Sequence, residues 1–266
     1  MKINKAAMAA AVALFANAAY ATPLVSGPIS DATALANAIV GPGVSISNAV
    51  FWSNGAQVGT FTNGASTVGF DSGIVMTTGT LGCVQGPNTQ TNCSDNSGYS
   101  FAALRFDFTS TTGKLFFSYV FGSEEYNEYV GSSYNDQFQL FLDGNNIALI
   151  PGTNTTVAIN NVNCGSNSAY YRNNSAASSS CPSLNLDIQY DGLTKVLVAE
   201  ADVSAGLHSF EFRIEDMGDS FYDSGVFVQA GSFSGTDTST VAEPASLALT
   251  GLGLASAIAA RRRKRV

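Results

Sequence analysis

Apolar and polar residues alternate along much of this chain with the period of two that β-strands show. In residues 208–215, His208, Phe210, Phe212 and Ile214 would lie on one face and the four residues between them on the other. Asn-Gly and Asp-Gly pairs separate such segments at short intervals, which is typical of turns between strands. One buried and one solvated face per strand predicts a mainly β fold, an antiparallel and jelly-roll-like β-sandwich.

A single short helix is predicted before the strands, over residues 32–40. Ser30 or Asp31 can cap its N-terminus, and the Gly-Pro-Gly sequence at residues 41–43 ends it. The segments with strand character cover residues 46–52, 58–62, 73–77, 102–108, 114–121, 138–142, 147–150, 184–190, 194–203, 207–214 and 225–233. Residues 22–235 therefore fit one large β-domain.

The first 21 residues have the pattern of a secretory signal peptide. Lys2 and Lys5 precede an apolar stretch at residues 6–19, and Ala19 and Ala21 form a small-x-small cleavage site. The alternative, a first transmembrane helix, would need a longer apolar stretch. We therefore expect export through the Sec machinery and removal of residues 1–21 by signal peptidase.

The end of the chain forms a second targeting segment. Glu243 and Pro244 precede 16 uncharged residues, 245–260. The basic residues that follow are Arg261, Arg262, Arg263, Lys264 and Arg265. As a transmembrane helix the uncharged run would be about 24 Å long, shorter than a hydrocarbon core of about 30 Å. The positive-inside rule would keep the basic residues in the cytoplasm.

This order resembles the PEP-CTERM sorting signal of exported bacterial proteins, which the membrane enzyme exosortase is thought to cut and process. One departure is that Ala242 stands where the family usually has the first proline. The resemblance implies a linker at residues 236–242 and transient inner-membrane anchoring by residues 243–266. The processed protein would then reside at the cell surface or in the extracellular matrix. An ordinary tail anchor that is never cut is the alternative.

Charge is distributed unevenly along the chain. In the processed body, residues 22–243, five basic residues stand against all 20 acidic ones, so its net charge is about −15. This charge favours solubility, suits divalent cations and repels nucleic acid, so no nucleic-acid partner is expected. Charged residues make up 12% and aromatic residues 11% of the chain, a composition typical of an extracellular β-domain rather than of a disordered one.

The four cysteines are Cys83, Cys93, Cys164 and Cys181. None lies in a CxxC pair, which makes a zinc knuckle improbable. Cys83 with Cys93 and Cys164 with Cys181 is the simplest of the three pairings for an oxidising compartment, because each pair brackets polar, loop-like sequence.

A second resemblance rests on four stretches of the body. They are residues 72–79 (SGIVMTTG), 116–153 (FFSYVFGSEEYNEYVGSSYNDQFQLFLDGNNIALIPGT), 159–163 (INNVN) and 219–233 (DSFYDSGVFVQAGSF). Together they resemble the choice-of-anchor L domain, a β-domain of exported bacterial proteins with interchangeable C-terminal sorting signals. The resemblance implies the fold and the location, and it implies no enzymatic role.

An acidic block within these stretches is the best candidate site. Glu124, Glu125, Glu128 and Asp136 fall close together, and a second acidic group at residues 215–223, including Asp219 and Asp223, could converge on them. Such oxygen ligands could hold Ca²⁺ with help from backbone carbonyls and water. No known calcium-loop spacing is present, so a solvated acidic loop is the competing interpretation.

The sequence gives little support for catalysis. His208 begins an apolar strand face, where a structural role is expected, and no nucleophile elbow, zinc-protease motif or P-loop occurs. We therefore expect a non-enzymatic protein of the surface or of an exopolysaccharide or biofilm matrix. The alternative is a polysaccharide-binding or glycosidase-like protein that uses a pair from the acidic block. Tyrosines that could stack on sugars are Tyr126, Tyr129, Tyr134, Tyr170, Tyr171 and Tyr222.

Processing at both ends is directly testable. We expect the mature protein to begin at Thr22 and to end near Glu243, because both flanking segments are targeting signals. Intact-mass measurement of the protein recovered outside the cells would report both ends. Recovery of the mature surface protein with its arginine-rich tail still attached would contradict the sorting interpretation.

Overall fold

The computed structural model describes residues 21–53, 56–89, 93, 101–175 and 180–238. In this part of the chain two antiparallel sheets and one short helix form the domain, so the predicted mainly β fold and N-terminal helix are confirmed. The signal peptide up to Tyr20 and the sorting segment 243–266 lie outside the described residues. None of the helices in the described ranges is long and apolar enough to cross a membrane.

The described residues form helix α1, Ala32–Ile39, and fourteen strands. Those of the first half are β1 Leu24–Ser26, β2 Val44–Trp52, β3 Val58–Thr62, β4 Gly73–Thr77, β5 Phe101–Ser110, β6 Lys114–Ser123 and β7 Gln137–Leu142. Those of the second half are β8 Asn145–Asn146, β9 Val157–Ala158, β10 Tyr171–Asn173, β11 Gly192–Thr194, β12 Leu197–Asp202, β13 His208–Glu215 and β14 Ser224–Gln229.

Sheet I has eight strands in the order β1-β3-β4-β14-β6-β11-β10, with β12 also paired to β6. Its central strands are buried on both faces, as the five buried residues of β4 show. One face packs against the second sheet, and the other is covered by loops that contribute Phe70, Val84 and Ile188 to a second apolar cluster. A strand covered on both faces has no polar side, which explains its continuous apolar sequence.

Sheet II has six strands in the order β2-β5-β13-β7-β8, with β9 also paired to β7. In β13 the predicted alternation is confirmed, because Phe210, Phe212 and Ile214 are fully buried and the residues between them are partly exposed. Strand β7 alternates in the same way. Sheet II therefore covers the core with one face and presents both polar and apolar side chains on the other.

The core between the sheets is built on aromatic rings. Phe233 follows β14 and contacts Phe106 at 4.9 Å, Phe108 at 5.1 Å and Phe210 at 4.7 Å between ring centroids. These edge and tilted contacts add to the large apolar area that such rings bury. Helix α1 is capped by Asp31 and inserts Leu35 and Ile39 into the same core.

Four predicted strands differ from the observed ones. Residues 184–190 form no strand and instead lay the buried side chains of Leu186, Ile188 and Tyr190 on the outer face of sheet I. Residues 147–150 make only an isolated bridge at Leu149. The segment 194–203 is divided between β11 and β12, and the strand predicted at 225–233 ends at Gln229. Alternation alone does not separate a covering loop from a strand, since both bury every second residue.

Both predicted disulfides are confirmed. Cys83 is bonded to Cys93 and Cys164 to Cys181, with Cα–Cα distances of 5.5 and 5.8 Å. Closing loops of this size stabilises the fold by about 3 kcal/mol each in the loop-entropy description. Each bond therefore fixes a segment that has little core of its own.

The two ends of the described chain are tied to the same end of the sandwich. The Gly235 N–H donates to the Pro42 carbonyl at 2.8 Å, and the Thr112 hydroxyl donates to the Gly235 carbonyl at 2.7 Å. At the N-terminus, the Asn63 side-chain amide donates to the Thr22 carbonyl at 3.0 Å. Thr112 precedes the first residue of β6, and Asn63 follows β3 directly.

The Phe233 packing gives a test of this core. Phe233→Ala removes a fully buried ring that touches both sheets, so we expect a loss of about 3–5 kcal/mol in the free energy of unfolding. Phe221→Ala is the matched control, because Phe221 is 42% exposed, and its loss should be within about 0.5 kcal/mol. Urea denaturation of both variants measures the difference. Equal losses would contradict the assignment of Phe233 to the core.

Candidate functional site

Six buried carboxylic side chains meet at one end of the sandwich. They lie there because the C-terminal ends of β6 and β13 neighbour the N-terminal ends of β14 and β7 in antiparallel register. Each of these residues is at most 6% exposed. We call this set the acid end: Glu124, Glu125, Asp136, Asp191, Asp216 and Asp223.

Glu125 is one of three members of the acid end, with Glu124 and Asp216, whose side-chain oxygens are buried without a hydrogen-bond partner among the described residues. Burial, together with the negative charges of Asp136, Asp219 and Asp216, raises the Glu125 pKa to about 9. A carboxylate in this position must be protonated or be neutralised by a cation.

Asp136 is the best-bonded member. Its two oxygens accept hydrogen bonds from the Ser224 hydroxyl at 2.6 Å and from the Met217 N–H at 2.9 Å. Burial still raises its pKa to about 7, since these two donors only partly offset the loss of solvent. Asp216 lies beside it, and burial together with the Asp136 charge raises the Asp216 pKa to about 9.

Glu124 belongs to a separate group with Asp191 and Asp223. Burial raises the Glu124 pKa to about 9, and the Asp191 charge adds to the effect. The backbone N–H of Cys93 lowers that pKa slightly. The Asn88 side-chain amide donates to Asp191 at 2.7 Å. The loop closed by the Cys83–Cys93 bond therefore brings hydrogen-bond donors to the acid end.

Gly79 makes room for Asp223. A Cβ atom at Gly79 would lie 1.7 Å from the Asp223 Oδ2 atom. The neighbouring backbone is held in place, since the Thr78 N–H donates to the Ser224 carbonyl at 2.8 Å and the Ser224 N–H donates to the Thr78 hydroxyl at 2.9 Å. The glycine at residue 79 is thus required by the close approach of a carboxylate.

The residues proposed from sequence as calcium ligands are only partly brought together. Glu125 and Asp136 share one group, whereas Glu124 and Asp223 lie in the other. Glu128 is exposed and Asp219 is half-buried at the edge of the acid end. Within the described residues, no three or more His, Cys, Asp or Glu side chains already stand close enough together to hold a metal ion.

Asp191 is not among the site residues predicted from the sequence, where it belongs to one of the Asp-Gly pairs that indicate turns. The local sequence carries no signal for its role, because its neighbours at the acid end, Glu124 and Asn88, are distant along the chain. Asp216 had been included only within the second acidic group. Burial of both residues became visible only when the strand ends were assembled.

The tyrosines proposed for stacking on sugars differ in exposure. Tyr126 and Tyr171 are buried and contact each other at 4.8 Å between ring centroids, so neither presents a face to a ligand. Tyr129 packs against Tyr134 at 5.4 Å and against Tyr222 at 4.9 Å, and these three rings are partly exposed. Stacking of a sugar on the partly exposed rings stays a prediction.

His208 has the structural role expected of it. Its Nδ1 atom lies 2.7 Å from the Asp143 Oδ2 atom, and its ring packs on Phe108. The hydrogen bond to Asp143 raises the His208 pKa above its ordinary value. His208 lies at the end of β13 opposite to Glu215, so it is remote from the acid end.

Comparison with known families decides where this domain belongs. The family model described as "Choice-of-anchor L domain" matches residues 26–234, which include every residue of the acid end. The chain belongs to the choice-of-anchor L domain family. Membership is consistent with an exported, surface-anchored protein. No curated protein and no solved structure matches the chain.

The raised pKa values of the choice-of-anchor L domain predict how its stability depends on pH. Glu124 and Glu125 have pKa values of about 9 in the folded state against an ordinary value of 4.5. At a pH between 4.5 and about 9, these two carboxyl groups are deprotonated in the unfolded chain and protonated in the folded chain. The free energy of unfolding therefore decreases as pH rises through this range. We expect full stability below about pH 4.5 and progressive loss towards pH 9 when divalent cations are chelated.

Urea denaturation at several pH values in chelator measures this dependence. Glu125→Gln removes one of the titrating groups, so its stability should decrease less steeply with pH. Glu200→Gln is the control, since Glu200 is 55% exposed and should leave the slope unchanged. A stability that does not vary from pH 5 to pH 9 would show that these carboxyl groups are not buried in solution.

Proposed function

We propose that this chain is an exported, non-enzymatic protein of the cell surface or of an exopolysaccharide matrix, and that Ca²⁺ bound at the acid end stabilises its domain. The observation that carries the calcium part is Glu125, whose two buried oxygens have no partner among the described residues. The family membership supports export and surface location.

A bound cation would neutralise the negative charge that is buried at the acid end. In the described part of the domain, none of the four ion pairs involves a residue of the acid end. Ca²⁺ accepts six to eight oxygen ligands with flexible geometry, so two carboxylates, backbone carbonyls and water are sufficient. Glu125 with Asp136 or Asp216 offers such a pair, since the charges of both aspartates act on Glu125. A proton would neutralise only one carboxylate, whereas Ca²⁺ neutralises two.

The burial of the acid end supports a non-enzymatic role. A glycosidase needs two carboxyl groups that reach a sugar bound in an open cleft. Glu124 and Glu125 are each 1% exposed, and Asp223 is 2% exposed and packed on Gly79. These side chains are covered rather than presented to a polymer. The glycosidase-like alternative therefore has little support from the geometry.

The route to the surface is proposed from the two targeting segments. Sec export and signal peptidase would release the body at Thr22, and exosortase would process the segment that begins at Glu243 and Pro244. The family match supports this division, because it ends at residue 234, next to the proposed linker at residues 236–242. Transient anchoring would use residues 245–260.

Calcium binding is tested by thermal unfolding. We expect added Ca²⁺ to raise the melting temperature and chelator to lower it, because ligand binding stabilises the folded state by about 2.7 kcal/mol at a hundredfold excess over Kd. Glu125→Gln and Asp136→Asn should reduce this response. The effect should be larger at pH 8 than at pH 5, since Ca²⁺ competes with protons for the same oxygens.

Asp31→Asn is the matched control for calcium. Asp31 caps α1, and asparagine caps helices as well as aspartate does, so this variant should respond to Ca²⁺ like the parent protein. If chelator leaves the melting temperature unchanged at both pH values, the acid end binds protons only and the calcium proposal fails.

A further inference from the structure

The outer face of sheet II differs from every other large surface of the described domain. Sheet I is covered on both faces, whereas the residues of β5, β13 and β7 that point away from the core are not covered by another layer of described residues. Apart from Ala103, which is buried, the side chains that β5, β7 and β13 place on this face are half-buried or exposed. Among the described residues, this broad sheet face therefore has no covering layer.

Large apolar side chains are gathered on this face. Trp52 is 46%, Val50 46% and Phe101 44% exposed. The register places them side by side, since Trp52 lies opposite Ala103 and Val50 lies opposite Arg105, while Phe101 is two residues before Ala103. Contiguous exposed apolar groups of this kind mark interaction sites more often than chance surface.

Two arginines lie among these rings. The Arg213 guanidinium carbon is 5.9 Å from the Phe101 ring centroid and 5.8 Å from that of Phe141, and its Nη2 atom is 2.8 Å from Glu211. Arg105 is exposed and forms no ion pair with a described residue. An open cavity of about 350 Å³ lies between them, lined by Arg105, Phe141, Gly144, Ser209, Glu211 and Arg213.

We propose that this face binds an acidic, uronate-containing polysaccharide. The apolar faces of the sugar rings would pack on Trp52 and Phe101, and a uronate carboxylate would pair with the Arg105 guanidinium. Glu211 and Gln139 would bind sugar hydroxyls from the neighbouring strands.

Charge complementarity identifies the ligand as anionic. The body has a net charge of about −15 with only five basic residues, yet two of those five line one cavity together with a single acid. The same face also carries Asp107 and Glu215, so the attraction is local: a sugar carboxylate would meet the Arg105 guanidinium, which forms no ion pair with a described residue. The planar fork of arginine suits a carboxylate better than it suits a hydroxyl.

The inference rests on the proposed matrix location for its ligand, and it is tested on purified protein independently of export and calcium. Trp52 is the single tryptophan of the chain, so its fluorescence reports directly on this face. Titration with a hexameric oligouronate, with chelator present, should change the emission saturably. A neutral hexasaccharide of equal length should bind about tenfold more weakly, the loss expected for one charge-assisted contact.

Variants assign the binding to this face. Trp52→Ala and Arg105→Gln should each weaken oligouronate affinity about tenfold by calorimetry, because aromatic and arginine anchors dominate such interfaces. Phe221→Ala and Lys195→Gln are the matched controls, as an exposed aromatic between β13 and β14 and an exposed base between β11 and β12, and should bind normally. Absence of binding, equal affinity for the neutral sugar, or equal affinity of the two face variants and their controls would each overturn the proposal.

Discussion

Burying a carboxylate away from any cation is among the most costly arrangements a protein can contain, and this fold contains six at one place. They cannot separate, because the strands that carry them are fixed by the ladders of both sheets. Hydrogen bonds between Thr78 and Ser224 lock the start of β14 beside the end of β4. The acid end is therefore a consequence of the strand pairing, and its charge must be removed by something that binds.

The cover of the acid end depends on the disulfides. Asn88 and Cys93, which contribute donors to Asp191 and Glu124, belong to the loop closed by the Cys83–Cys93 bond. Near the other disulfide, the Cys164 Sγ atom lies 3.7 Å from the Asn127 side-chain oxygen, which also accepts from the Tyr171 hydroxyl at 3.0 Å. Loops without a core of their own are thus held where a polar cover is needed.

Much of the fold followed from local pattern. The alternation in residues 208–215, the cap at Asp31 and the spacing of the four cysteines each correspond to one observed element or bond. Residues 184–190 were predicted to form a strand, but they form a loop. Their alternating apolar residues pack on a sheet that is buried on both faces. Which sheet is covered on both faces depends on how the whole domain packs, so no short stretch of sequence can predict it.

The candidate site was predictable only in part, for a related reason. The concentration of acids near Glu125 was visible, but alternation of side chains at a strand end sends Glu124 and Glu125 to different groups. Asp191 joins through a pairing of β11 with β6 that connects residues distant along the chain. Burial raises the pKa values of these carboxyl groups, and burial depends on the tertiary structure and not on the local sequence.

Both ends of the described chain are hydrogen-bonded at the end of the sandwich where Thr112 and Asn63 lie, which is opposite to the acid end. Strand β6 runs ten residues from that end to the acid end, a distance of roughly 30 Å. A chain held at a membrane by its C-terminal segment would carry the acid end outermost. Surface potentials decay over about 8 Å at physiological ionic strength, so cations there would equilibrate with the bulk medium and not with the ion layer of the membrane.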